Sequence, residues 1–111
     1  MPGDSVEVAH SNYSVGEVLI ALHRYPEAND YTRKALATLR LKLLPYHPLV
    51  IACLAQLGLG EYAEHGKSAA QPLWDEALTQ ASRTLRPESP ELAKLRAMIL
   101  DPDALLARTP R

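Results

Sequence analysis

Four histidines and one cysteine are the side chains of this chain best suited to acid–base, nucleophilic or metal chemistry. A thiol nucleophile needs a base and an orienting group within hydrogen-bond reach. Cys53 instead lies among Ala52, Leu54 and Leu57, where a small buried hydrophobe is the expected role. His10, His23, His47 and His65 are dispersed, with no HExxH spacing and no cysteine pair, so no tetrahedral metal set follows from spacing. His23 and His65 lie one structural unit apart. Each falls at a helix C-terminus, where an imidazole can donate to terminal carbonyls and meet the negative end of the dipole. Gly58-Leu59-Gly60 is too short for a phosphate-binding loop. The sequence therefore predicts no catalytic residue, no metal site and no cofactor, and a chain that is not an enzyme.

The elements that position these residues follow from an internal repeat. Ser5, His47 and Ser89 are spaced by 42 residues, and setting them in register brings much else into step without gaps. Val8, Val50 and Leu92 coincide. So do Gly16 and Gly58, His23 and His65, Ala28 and Ala70, Ala35 and Ala77, Leu36 and Leu78, Leu43 and Leu85, and Pro45 and Pro87. The units run over approximately 5–46 and 47–88, with a half-unit over 89–108.

Each unit reads as two helices. Asp4 or Ser5 caps the first, which carries Val8, Val15, Val18, Leu19 and Leu22 and ends near His23. The second starts at Tyr25-Pro26, carries Ala28, Tyr31, Ala35, Leu36, Leu39 and Leu43 at helical spacing, and stops before Pro45. His47-Pro48 opens the third, Gly66 breaks it, and the fourth carries Ala70, Leu73, Trp74, Ala77, Leu78, Ala81 and Leu85. Ser89-Pro90-Glu91 opens the fifth, and Asp101-Pro102-Asp103 caps a short turn through Leu105 and Leu106. Arg108 to Arg111 reads as a frayed tail. The expectation is a single all-α domain over 1–111, built of antiparallel helical hairpins stacked as a short α-solenoid, about five helices plus a C-terminal stub.

Composition agrees with that class. Hydrophobic residues make up 47% of the 111 residues, aromatics only 5% with no Phe, so Leu and Ala must fill the core. Twelve basic and thirteen acidic residues leave a net charge of −1, without the basic field that attracts nucleic acid. Arg33, Lys34, Arg40, Lys42, Arg83 and Arg86 lie on the second helices and read as a solvated face. No apolar run reaches membrane-spanning length, Met1-Pro2-Gly3-Asp4 lacks a leader pattern, and one cysteine excludes an internal disulfide; an intracellular, cytoplasmic setting is expected.

Several of these residues resemble the kinesin-light-chain type of tetratricopeptide repeat. They are Arg24-Tyr25-Pro26-Glu27-Ala28 at the turn, Ala35-Leu36 late in the second helix and Pro45-Tyr46-His47-Pro48 between units. The resemblance covers roughly 4–100. It implies a binding scaffold or adaptor whose concave face is formed by the first helix of each unit. The family often carries paired asparagines on that face to hold a peptide backbone; here the positions are Tyr13-Ser14 and Ala55-Gln56. His10, Tyr13, Glu17, Gln56 and Leu59 become the candidate groove residues. Trp74 aligns with Thr32, and either fills a gap between repeats or anchors a partner. The apolar runs Val18 to Leu22 and Leu41 to Leu44 exceed what one helix face needs. They extend the expected contact surface to the first helix, against a second copy or neighbouring repeats. The alternative role is a regulatory or structural domain of a larger signalling protein or enzyme.

Overall fold

The computed structural model describes residues 5–107. Asp4 and the Arg108–Arg111 tail lie outside them. Six helices follow in order: α1 Val6–Ala21, α2 Tyr25–Lys42, α3 Pro48–His65, α4 Lys67–Thr84, α5 Pro90–Leu100 and α6 Pro102–Ala107. Among the described residues there is no strand, and no helix is long and apolar enough to cross a membrane. The 42-residue register is visible in the caps. Ser5 Oγ accepts from the Val8 N–H at 3.1 Å, His47 Nδ1 from Leu49 at 3.1 Å and Ser89 Oγ from Glu91 at 3.2 Å. Each satisfies a backbone donor that the first turn of a helix leaves unpaired.

The two hairpin turns differ, although the units align. Leu22, His23 and Arg24 close α1 with paired bonds, His23 N–H to Ile20 O and Arg24 N–H to Leu19 O. This is the Schellman arrangement, with His23 in the left-handed region at φ 59. In the second unit Gly66 alone joins α3 to α4, at φ 92 and ψ −176, a region open essentially only to glycine. The second hairpin therefore turns on one residue where the first uses three.

Within each hairpin a glycine lets the helices close. A Cβ on Gly16 would lie 2.5 Å from Thr32 Oγ1 and 3.2 Å from the Ala28 carbonyl. A Cβ on Gly58, its counterpart, would run into the indole of Trp74, the residue aligned with Thr32. Between units, α2 packs on α3, and the main core gathers Ala35, Leu36 and Leu39 from α2 with Val50, Cys53, Leu54 and Leu57 from α3. Ala9 of α1, Ile51 of α3, Ala77 and Ala81 of α4 and Leu92 and Leu95 of α5 complete it. Polar bridges tie α2 to the next unit. Arg40 makes a two-pronged ion pair with Glu76 (2.7 and 2.9 Å), Arg33 pairs with Glu61, and Asn29 donates to Glu64 at 2.9 Å. Stability is thus a sum of hairpin closures and nearest-neighbour interfaces.

Candidate functional site

The first helix of each unit contributes one wall to a shared recess of about 550 Å³. Tyr13, Glu17, Ile20 and Ala21 come from α1. Ile51, Ala52, Ala55, Gln56 and Leu59 come from α3, and Leu95 and Met98 from α5. Each wall is one helical stripe, and neighbouring walls share register pairwise: Tyr13 with Ala55 and Glu17 with Leu59, then Ala52 with Lys94 and Gln56 with Met98. The lining is overwhelmingly apolar, with charge supplied by Glu17 on one side and Glu91 and Lys94 on the other. The Ser89 hydroxyl donates to Glu91 at 2.6 Å, which holds that carboxyl below its usual range, with Lys94 assisting. Glu91 therefore stays ionised. Burial, and then the nearby Glu17 charge, push the Tyr13 phenol up to about 12, so it stays neutral as a hydrogen-bonding group.

The six candidates from the sequence divide. Tyr13, Glu17, Gln56 and Leu59 line the recess together. His10 is exposed on α1, its ring centroid 6.3 Å from that of Tyr13, and does not line it. Gln56 is buried, and its amide donates to the Tyr13 carbonyl at 3.0 Å and to Thr32 Oγ1 at 2.9 Å. One side chain of the second unit thereby ties together both helices of the first. Its donors are spent on the fold, so it is a wall of the recess and not a free hydrogen-bonding probe.

Trp74 corrects the anchor reading outright. It is fully buried, with Nε1 donating to the Ala55 carbonyl at 3.3 Å and the indole against Gly58. It fills space between α3 and α4, and a buried indole offers a partner nothing. In the first unit the equivalent volume is taken by Thr32 together with the incoming Gln56 amide. Ile51, Leu95, Met98 and Leu105 also line the recess and are not among the sequence candidates. The repeat register points to Ile51, one turn from Ala55 on the stripe that Tyr13 and Glu17 define, and to Met98, the counterpart of Gln56; Leu95 is the counterpart of Cys53 and falls off that stripe.

The residues suited to chemistry do not converge. Among the described residues no group of three His, Cys, Asp or Glu is placed to hold a metal ion. His65 Nε2 lies 3.8 Å from Glu64 and 4.0 Å from Glu61, facing carboxylates and not terminal carbonyls. The His23 ring stacks on Tyr25, centroids 5.8 Å apart. Most of the basic residues of the second helices meet partners within the fold, Lys34 over the Tyr31 ring among them. Arg33 and Arg40 are in ion pairs, and Arg83 lies 4.9 Å over the Tyr46 ring.

Cys53 is fully buried, and desolvation pushes its thiol up to about 12. An unfolded thiol ionises near pH ~8.5. The folded state thus holds the proton that the unfolded state loses, and stability falls as pH rises between those values. The expected result is that a thiol reagent at pH 8 modifies Cys53 only at the rate of global opening. Fast labelling of the native protein, measured by mass spectrometry, would show the thiol accessible.

Comparison with known protein families, curated proteins and solved structures returns no match for this chain.

Proposed function

We propose that this chain is a non-catalytic interaction module of the tetratricopeptide kind, binding a segment of another protein in the recess between α1, α3 and α5. The observation that carries this reading is the recess itself. It is a concave surface of about 550 Å³, built by the first helices of successive units and lined by Ile20, Ile51, Ala52, Ala55, Leu59 and Leu95. An apolar groove with a few charged groups on its rim suits a peptide side that buries aliphatic residues and leaves its backbone wet or helical. Glu17 on one rim and Lys94 on the other are set to fix direction through charge. The dispersed histidines and the buried thiol favour recognition over chemistry.

A second surface supports self-association or contact with neighbouring repeats. Val15 and Val18 on α1 and Leu22 at its C-cap are 39%, 58% and 53% exposed. Leu41 and Leu44 are exposed at the junction of the first two units. A role as a regulatory or structural domain within a larger signalling protein or enzyme uses the same two surfaces.

The test is site-specific photo-crosslinking in cells. A photoreactive side chain at Lys94 on the rim is compared with one at Ala37 on the exposed side of α2. The module reading expects a discrete cross-linked partner from Lys94 and none from Ala37.

A further inference from the structure

The groove already holds a segment of its own chain at one end. α6 is six residues long, and an isolated helix of that length has no stability of its own. It exists because it docks. Leu105 lines the recess, while Leu106, about 100° further round the helix, packs against the small cluster of Leu19, Ile20, Ala28 and Leu59 together with Met98. Ile20, Leu59 and Met98 belong to both the recess and that cluster. The surface that seats α6 is therefore continuous with the surface proposed to seat a partner. One polar anchor adds to it: Tyr62 Oη donates to the Asp103 carboxylate, at 2.9 and 3.0 Å to the two oxygens. That bond raises the Tyr62 phenol above its ordinary value. The helix opens on Asp101, whose carboxylate accepts from the Ala104 N–H at 3.3 Å.

Resting on the groove reading above, we propose that α6 is an internal stand-in for the groove's partner. The partner is a protein segment of the same chemistry: a short helix with an acidic first turn followed by two adjacent leucines. The acidic group meets Tyr62, and the leucines cover Ile20, Leu59 and Met98. Partner and α6 exclude each other, so the apparent affinity of the groove is reduced by the fraction of chains with α6 seated. The two ligands are linked reciprocally: whatever loosens α6 tightens the partner.

The probe is a capped, fluorescent peptide of residues 101–107, Asp-Pro-Asp-Ala-Leu-Leu-Ala, titrated by anisotropy against the full chain. The receptors are the natural sequence and the full-chain variants Asp103→Ala and Leu106→Ser. Both substitutions lie on α6 and leave the groove residues of α1, α3 and α5 unchanged. The expected result is weak binding to the natural chain and at least ten-fold tighter binding to each variant. A peptide with both leucines replaced by serine binds none of the three. Adding Tyr62→Phe to Asp103→Ala weakens the peptide again, because the groove-side donor is gone. Circular dichroism keeps the comparison to folded protein, and Asp103→Ala serves if Leu106→Ser does not fold. Equal affinity for natural chain and variants, or no binding to any of them, overturns the proposal. If that happens while Lys94 still cross-links a partner, the groove reading stands and the stand-in alone is wrong. If Lys94 cross-links nothing, the groove reading is what has failed.

Discussion

Replacing Gly58 by alanine is expected to destabilise the fold by up to about 2 kcal/mol, and Trp74→Ala by about 3–5 kcal/mol, with the double variant costing clearly less than the sum. The reason is one contact repeated in two forms. A Cβ on Gly58 meets Nε1, Cδ1 and Cε2 of an indole that is fully buried and tethered to the Ala55 carbonyl. The rigid ring cannot swing aside, so α3 and α4 must separate or the indole must leave. Overpacking of this kind costs roughly 1–3 kcal/mol, against which the helix propensity of alanine over glycine returns about 1. Trp74→Ala opens the largest cavity a single substitution can make here. In its absence a methyl at position 58 has room and fills part of the void. Urea denaturation followed by circular dichroism measures all three. Strict additivity would mean that the two residues do not meet. On a total stability of about 5–15 kcal/mol, Trp74→Ala removes a large share.

Ala52→Gln is expected to weaken partner binding about a hundred-fold while leaving the fold intact. Position 52 falls in register with His10 and Lys94, so the same place on the two other units already carries a long polar side chain. The backbone tolerates it there, and Ala52 lies on the wall of the recess. In the free protein the new amide reaches water. In the complex it is buried among Ile51, Ala55 and Leu95 without partners, at a cost of about 1–3 kcal/mol, and it also takes the occupant's space. Roughly 2.7 kcal/mol corresponds to a hundred-fold change in Kd. Isothermal titration with the cross-linked partner's segment gives the number, and thermal melting gives the control. Binding within a few-fold of the natural chain places the contact surface elsewhere. Substituting Gln56 is no substitute for this test, because its amide holds Tyr13 and Thr32 and its loss perturbs the fold itself.

Much of the scaffold was legible because it is written in local signals. Ser5, His47-Pro48 and Ser89-Pro90 state where helices begin, and each does so through its own side chain. Gly66 marks a turn that only glycine can make. The apolar stripes fix which faces meet. The site was less legible, because its polar residues are decided by partners far away in the chain. Gln56 stands where a peptide-reading asparagine is expected, yet Thr32 is 24 residues off and Tyr13 43, and those contacts turn it inward. Trp74 differs from Thr32 in a way the alignment exposes at once, but only the opposing Gly58 says that the indole points in. α6 gave the weakest signal. Six residues carry too little periodicity to assign a face. The adjacent Leu105 and Leu106 are the clue, since neighbours on a helix face different ways and both must be covered. Pro72 also left no mark on the reading, although it lies inside α4; its exposed position leaves the unpaired turn to water.

The claim on which the rest depends is that the concave face of the stacked units, and not their outer face, receives another protein. Photo-crosslinking from Lys94 and from Ala37 in the intact chain tests it most directly. Recognition in the recess predicts one discrete adduct from Lys94, lost when Ala52→Gln is introduced, and no such adduct from Ala37. An adduct from Ala37 that survives Ala52→Gln, with none from Lys94, would contradict it.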